Sequence, residues 1–238
     1  MIEGANKAGG LTVIIDVFRA FSLECFLYDL GAAVIRPVGT IEESFAWRER
    51  LPDCILCGER QGKMCEGFDL GNSPSAAKKL APKISGKTVI HTTSAGTQGI
   101  VNASGADEII TGSLVNAAAI ARYIRGRDPE RVSIVAMGNG GVEPAPEDEL
   151  CAEYIRTLLI AGVEPGMEQG QIAMPDIDRR IAELRHRGGE HFFDPETQDV
   201  FPEQDFHLCA QRDIFDFVIR VKKDDQGFYT EKIENCLF

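Results

Sequence analysis

The feature that most restricts what this chain can fold into is an alternation. Short apolar runs bounded by Gly, Pro or polar residues recur at Leu11 to Asp16, Ala33 to Val38, Cys54 to Gly58, Lys87 to His91, Glu108 to Thr111 and Arg131 to Ala136. Their length and bounding residues read as buried strands. Between them lie segments with apolar residues at helical spacing: Phe21 to Leu30, Ile41 to Arg50, Ser75 to Leu80, Gly96 to Ala103 and Leu114 to Ile124. Strands and helices in this order bury their apolar faces through right-handed crossovers. The expected fold class is therefore α/β, a mainly parallel or mixed sheet flanked by helices, in one unit or in two lobes with the site between them.

After Gly138 the pattern turns helical, most clearly at Glu147 to Ala161 and then at Asp176 to Arg187, with a polar stretch following through Phe206. A last β-like run, Phe215 to Val221, is expected as an edge strand. Glycine and proline punctuate the chain without forming a linker, and no repeat of solenoid period is present. Residues 1–238 read as a single unit, and a lobe boundary, where there is one, is expected near residues 110–140.

A chain of 238 residues with 44% hydrophobic residues can bury a sizeable core. Its 25 Lys and Arg stand against 37 Asp and Glu, a formal charge of −12. Such a field repels nucleic acid and anionic membrane surfaces, so neither is expected as a partner, and an anionic ligand must be held by a local constellation. The seven cysteines are an odd number and scattered, which suits reduced thiols. Met1 to Leu11 has no apolar stretch of signal-peptide length, and no window approaches the roughly 20 apolar residues of a membrane span. The expected compartment is the cytoplasm.

Ligands in open α/β sheets sit beyond the carboxyl ends of the strands, and polar residues cluster there. The first strand ends at Asp16, with Arg19 close behind. This pair can hold a divalent metal and a phosphate, or cap a helix and pair internally. The third strand opens into Gly58, Glu59, Arg60, Gln61 and Gly62, and then Gly67 to Pro74, a long loop of anion- and metal-binding groups. Within it, Ser73 before Pro74 also reads as an ordinary helix cap. After the fourth strand, Thr92 to Thr97 form a hydroxyl-rich turn into a helix, either a phosphate cradle or simple capping. Glu147 and Asp148 open a helix, where carboxylates favour the helix dipole or bind Mg²⁺.

Other phosphatase patterns fit less well. Cys54 and Arg60 have the Cys-x5-Arg spacing of cysteine-dependent phosphatases, but Cys54 begins an apolar run that reads as strand. An aspartate nucleophile would need a second Asp at the position of Phe18. His91, His186, His191 and His207 have no zinc-ligand spacing, and His186 and His191 are expected on a solvated helical region.

Taken together, Asp-Val-Phe-Arg-Ala at 16–20, Gly-Glu-Arg at 58–60, Gly-Phe-Asp-Leu-Gly-Asn-Ser-Pro at 67–74 and Glu-Asp at 147–148 resemble the 2-phosphosulfolactate phosphatase family. Gly112 to Ala117 and Asp205 to Ala210 extend the resemblance over nearly the whole chain. It implies a Mg²⁺-dependent hydrolase of phosphate esters of 2-hydroxycarboxylic acids, whose sulfonated member feeds coenzyme M synthesis. The expected partner is a small anionic phospho-acid; a homodimer is one assembly such a chain could form, and the residues do not fix it. The family's usual Thr-Thr-Asn-Gly-Thr-Arg turn stands here with Ala95 and Gln98 in place of Asn and Arg, and Phe21 where Thr is typical, which weakens the case for phosphosulfolactate itself.

On this reading Asp16, Glu59, Glu147 and Asp148 are the metal ligands, and Asp16, Arg19, Glu59 and Arg60 the catalytic group. Ser73, Thr93, Gly96, Thr97 and Asn116 would bind substrate. The rival readings are a cysteine phosphatase using Cys54, a non-catalytic binder of small phospho-acids, and another hydrolase or transferase on the same scaffold.

Overall fold

The computed structural model describes residues 1–161 and 176–234. Nine strands among them, β1 (Gly10–Ile15), β2 (Val34–Pro37), β3 (Ile55–Arg60), β4 (Lys63–Met64), β5 (Thr88–Thr92), β6 (Ala106–Gly112), β7 (Val132–Ala136), β8 (Phe217–Asp224) and β9 (Gly227–Glu234), form one sheet. Its order is β4-β3-β5-β2-β9-β8-β6-β1-β7. The helices are α1 (Ile2–Lys7), α2 (Ala20–Asp29), α3 (Ile41–Arg50), α4 (Pro74–Lys79), α5 (Ala81–Ile84), α6 (Gly96–Asn102), α7 (Ala117–Arg127), α8 (Pro146–Ala161), α9 (Ile177–Glu183) and α10 (Glu203–Cys209). Local chemistry sets several of their boundaries. Thr40 and Glu43 form a reciprocal capping box at the start of α3, while Ser73 accepts from the Ala76 N–H with Pro74 in the first turn of α4.

The sheet contains two parallel triplets, β6-β1-β7 and β2-β5-β3, joined by the antiparallel hairpin β8–β9. The run expected as an edge strand is instead central: β8 pairs with β6 on one side and along its whole length with β9 on the other. Sequence patterning misses β9 because it reads Gly-Phe-Tyr-Thr-Glu-Lys-Ile-Glu, with few aliphatic residues. Its place is secured across the ladder, where Glu231 pairs with Arg220.

Because β6–β8, β8–β9 and β9–β2 are all antiparallel, the two triplets run in opposite directions along the sheet. Their carboxyl ends nevertheless face one pocket. The usual twist of roughly 20–25° per neighbour, over the steps from β1 to β3, sums to on the order of 120–150°, enough to turn the ends of one triplet back toward the other.

The stretch expected to be a loop after the third strand is partly sheet. β3 continues through Glu59 and Arg60, which pair with Met64 and Lys63 of β4. Buried side chains cover both faces of the sheet. Val13, Ile15, Ile120, Tyr154 and Phe192 belong to one cluster, and Leu23, Leu27, Ile35, Val89 and Ile219 to another. No helix of the described residues is long and apolar enough to cross a membrane.

Candidate active site

A cavity of about 480 Å³ opens at the strand ends. Asp16, Glu59, Glu147 and Asp148 line it, together with Arg19, Gln61, Asn72, Ser94, Ala95 and Asn139, and Phe18, His191 and Phe201 form an aromatic wall. All four carboxylates expected from the sequence thus converge, although they come from β1, β3 and α8, elements far apart in the chain.

Each carboxylate also braces its own surroundings. Asp16 Oδ1 accepts from the Ala20 N–H at 3.1 Å, so the side chain both supports the start of α2 and lines the cavity. Asp148 accepts from the Val17 N–H at 2.7 Å and the Gly138 N–H at 2.8 Å, tying the turn after β1 to the turn after β7. At Gly138 φ is +69°, and a Cβ would lie 2.0 Å from the Glu143 carbonyl oxygen, so only glycine fits there. Glu59 takes the Ser94 and Gly62 N–H groups, both at 2.7 Å, and the Ser94 hydroxyl at 3.2 Å. Glu147 differs: its Oε2 is buried and has no hydrogen-bond partner among the described residues.

Burial chiefly, and then mutual repulsion, disfavours the charged forms. The Asp16 carboxyl is pushed up to about 8 by burial and by the charges of Asp148 and Glu59. Burial likewise raises Asp148, with Glu147 adding, and Glu147, with Asp16 adding, each to about 7.

Arg19 lines the cavity but is already engaged. Its guanidinium donates to Asp205 Oδ2 at 2.9 Å, to the Val200 carbonyl at 2.9 Å and to the Gly62 carbonyl at 3.1 Å, and it lies over the Phe201 ring at 4.9 Å. Asp205 also accepts from the Ser75 N–H at 2.9 Å. The charge expected to balance a phosphate is therefore met inside the protein.

Six other expected residues do not line the cavity. Arg60 donates to its neighbour's carbonyl at Glu59 and to Thr92 Oγ1. Ser73 caps α4, the simpler of its two readings. Thr93 and Thr97 bond to each other through side chain and backbone, locking the turn into α6. Asn116 holds the Ser113 N–H and faces the Phe217 carbonyl. Gly96 stands directly behind Asp16, where a Cβ would come within 2.9 Å of Oδ2. Of the two departures from the family turn, Ala95 lines the cavity, whereas Gln98 donates to the Gly39 carbonyl outside it.

Cys54 and Arg60 flank opposite ends of β3, so the strand between them cannot wrap into a phosphate loop. The Cys54 thiol is raised by burial, the reverse of what a nucleophilic thiolate needs. The six described cysteines are all buried and free; Cys236 lies outside the described residues.

Gln61 and Asn72 lie in the loop that the sequence marks for anion- and metal-binding groups but are not assigned to the site individually there, and sequence reasoning passes over Asn139, Phe201 and His191 as cavity residues. His191, expected on a solvated helix, packs its ring 4.5 Å from Phe201 and 4.3 Å from Phe192. The usable signal was Phe192, Phe193, Phe201 and Phe206 inside a stretch otherwise read as polar: aromatics so placed need a surface to cover.

The donor set suits a hard divalent cation. It is all oxygen, Glu147 Oε2 is orphaned, and no hydrogen bond from a described residue reaches Asp16 Oδ2. Among the described residues no three His, Cys, Asp or Glu side chains form a group that could hold a metal ion by themselves. Mg²⁺ does not ask for one, since it keeps waters and takes one or two carboxylates.

Comparison with known proteins gives a consistent picture. The family model for 2-phosphosulpholactate phosphatase matches residues 2–224. A protein of Thermotoga petrophila is 30% identical over 203 residues, 85% of each chain, and one of Bacillus subtilis is 30% identical over 226 residues, 94% of this chain and 92% of the other. One of Caldicellulosiruptor saccharolyticus is 40% identical over 152 residues, 62% of each. All three bear the name "Probable 2-phosphosulfolactate phosphatase".

Proposed function

The chain belongs to the 2-phosphosulfolactate phosphatase family of phosphoric monoester hydrolases, and from that premise we propose that it hydrolyses the phosphate ester of a small 2-hydroxycarboxylic acid with Mg²⁺ in the cavity described above. One observation carries the metal: buried carboxylates crowd the cavity while its one guanidinium among the described lining residues is already paired with Asp205. An anionic ester could not enter that field without a cation to offset it.

Asp16 and Glu147, which keep unengaged oxygens, would hold Mg²⁺. Bound there, it would supply Lewis-acid charge to the phosphoryl oxygens. Glu59 and Asp148 keep the turns after β3, β5, β1 and β7 in register by taking their amides. Phe18, His191 and Phe201 screen the ester from bulk water. Ala95, where the family usually has an amide, removes a polar group from the wall, which favours some breadth among 2-phospho acids; 2-phosphosulfolactate remains the first substrate to try.

The test is phosphate release from a panel of 2-phospho-hydroxyacids, including phosphosulfolactate and phospholactate, with Mg²⁺ and with a chelator. Release that the chelator abolishes is the expected result. Chelator-resistant release would remove the metal from the proposal, and no release from any ester would remove the activity.

The same carboxylates make a stability prediction for the chelated protein. Their folded-state values, about 8 for Asp16 and about 7 for Glu147 and Asp148, lie above those of an unfolded chain. The folded state therefore holds more protons, and the stability this contributes is lost as pH rises through 7 to 8. The melting temperature in chelator should fall between pH 5.5 and 8.5, and Mg²⁺ should offset the fall. A flat or rising curve in chelator would show that burial and mutual repulsion do not raise these carboxyls in the folded protein.

A further inference from the structure

Behind the cavity wall, three polar side chains from separate segments form a chain. Glu24 Oε1, on α2, lies 2.9 Å from His91 Nδ1, on β5. His91 Nε2 lies 2.9 Å from Oδ1 of Asn72, which lines the cavity. Glu24 and His91 are fully buried and Asn72 nearly so. The second oxygen of Glu24 has no hydrogen-bond partner among the described residues. Neither capping nor the carboxylate cluster accounts for this arrangement.

Both atoms that face the imidazole are oxygens. Two proton arrangements satisfy them: an imidazolium between the Glu24 carboxylate and Asn72, or a neutral ring accepting from a protonated Glu24 and donating to Asn72. Each leaves the Glu24–His91 pair net neutral, and each puts a hydrogen on Nε2. The remaining arrangement, a neutral ring beside an ionised Glu24, buries a net charge, the costlier choice in a dry interior. It would also turn the Asn72 amide over. The neutral pair thus binds the Asn72 carbonyl and leaves its NH₂ group for the cavity.

That outcome matters because the charged and hydroxyl donors there are committed, which leaves donation to side-chain amides, Asn72 beside Gln61 and Asn139. Arg19 is held by Asp205, and the Ser94 amide and hydroxyl are turned to Glu59. We propose that Glu24 and His91 are positioning residues that fix the Asn72 amide with its NH₂ turned into the cavity, where it donates to an anionic oxygen of the bound ester. The inference rests on the phosphatase reading above and adds to it the residue that contacts substrate and the pair that aims it.

Two measurements test it. In ¹⁵N-labelled protein, His91 Nε2 is expected to carry a proton at neutral pH; a bare lone pair would overturn the proposal, and this readout needs no turnover. In steady-state phosphate release with Mg²⁺, Asn72→Ala is expected to lower kcat/KM about 100-fold, the scale for losing one preorganised donor. His91→Asn should lose comparably, and the double variant should be no worse than Asn72→Ala. His91→Gln, whose terminal amide reaches where Nε2 stands, should retain more activity than His91→Asn at a similar melting temperature. Additive losses, or an Asn72→Ala enzyme with near-parental kcat/KM, would overturn the relay. If His91 variants do not fold, Asn72→Ala and the labelled parent still decide it. If the parent chain hydrolyses no ester, the proposed function fails while the imidazole measurement still decides the relay.

Discussion

Asp16→Asn should lower kcat/KM for phosphate release by at least about 1,000-fold, the scale of losing a preorganised electrostatic group at a reacting phosphate, while the melting temperature holds or rises. The two halves of this expectation have one physical source. Asn has the shape of Asp, and its Oδ1 can still accept from the Ala20 N–H that Asp16 now receives. What it lacks is the charge, which burial and the carboxylates of Asp148 and Glu59 already disfavour. Removing that charge relieves repulsion in the folded state and, under the proposed function, takes away a ligand for the cation. Were Asp16 only the cap of α2, Asn, an equally good cap, would leave turnover intact. Steady-state phosphate release and a thermal melt in chelator at pH 8 together separate the two, and full activity in the variant would end the assignment of Asp16 to the metal.

The second large effect concerns stability. Asp205→Ala should destabilise the fold by about 3–5 kcal/mol, the usual loss when one partner of a buried ion pair is removed, or roughly 10 °C in a chain of this size. Arg19 and Asp205 are both buried, 2.9 Å apart. Without the carboxylate, the guanidinium keeps only the Val200 and Gly62 carbonyls and the faces of Phe192 and Phe201. The Ser75 N–H loses its acceptor as well. Asp205→Asn, which can still accept from Ser75, should lose less. Urea unfolding of the two variants reads the difference. A loss under about 1 kcal/mol for Asp205→Ala would place the pair with exposed salt bridges and would return Arg19 to the pool of groups free to meet a phosphate.

Much of the fold is legible in the chain. Runs such as Leu11 to Asp16 and Lys87 to His91 match β1 and β5 within a residue or two, and α3 begins and ends at the residues its spacing indicates. These elements are strongly periodic and are bounded by caps that act over three or four residues, so local sequence suffices. β9 and the central place of β8 were not legible, because β9 is held by pairing with β8 and by the Arg220–Glu231 contact, both made only after the chain has returned on itself.

The site divides along the same line. Asp16, Glu59, Glu147 and Asp148 were identifiable from the sequence, since each stands in a motif beside a strand end or helix start. Their convergence, and the fate of the residues around them, depended on tertiary structure. Ser73 is spent on a helix, Thr93 and Thr97 on each other, and Arg19 on a carboxylate some 186 positions away. Asn72 stands in a loop that the sequence marks, but its place at the cavity and its backing by His91 and Glu24 exist only in the fold. The sequence alone thus determined the alternating elements, the family and the acidic residues, because propensity, capping and motif act along the chain. Only the folded sheet decided which side chains face the cavity and which are consumed within the protein, because hydrogen bonds and ion pairs between distant segments exist only once the sheet has brought its two oppositely directed halves together.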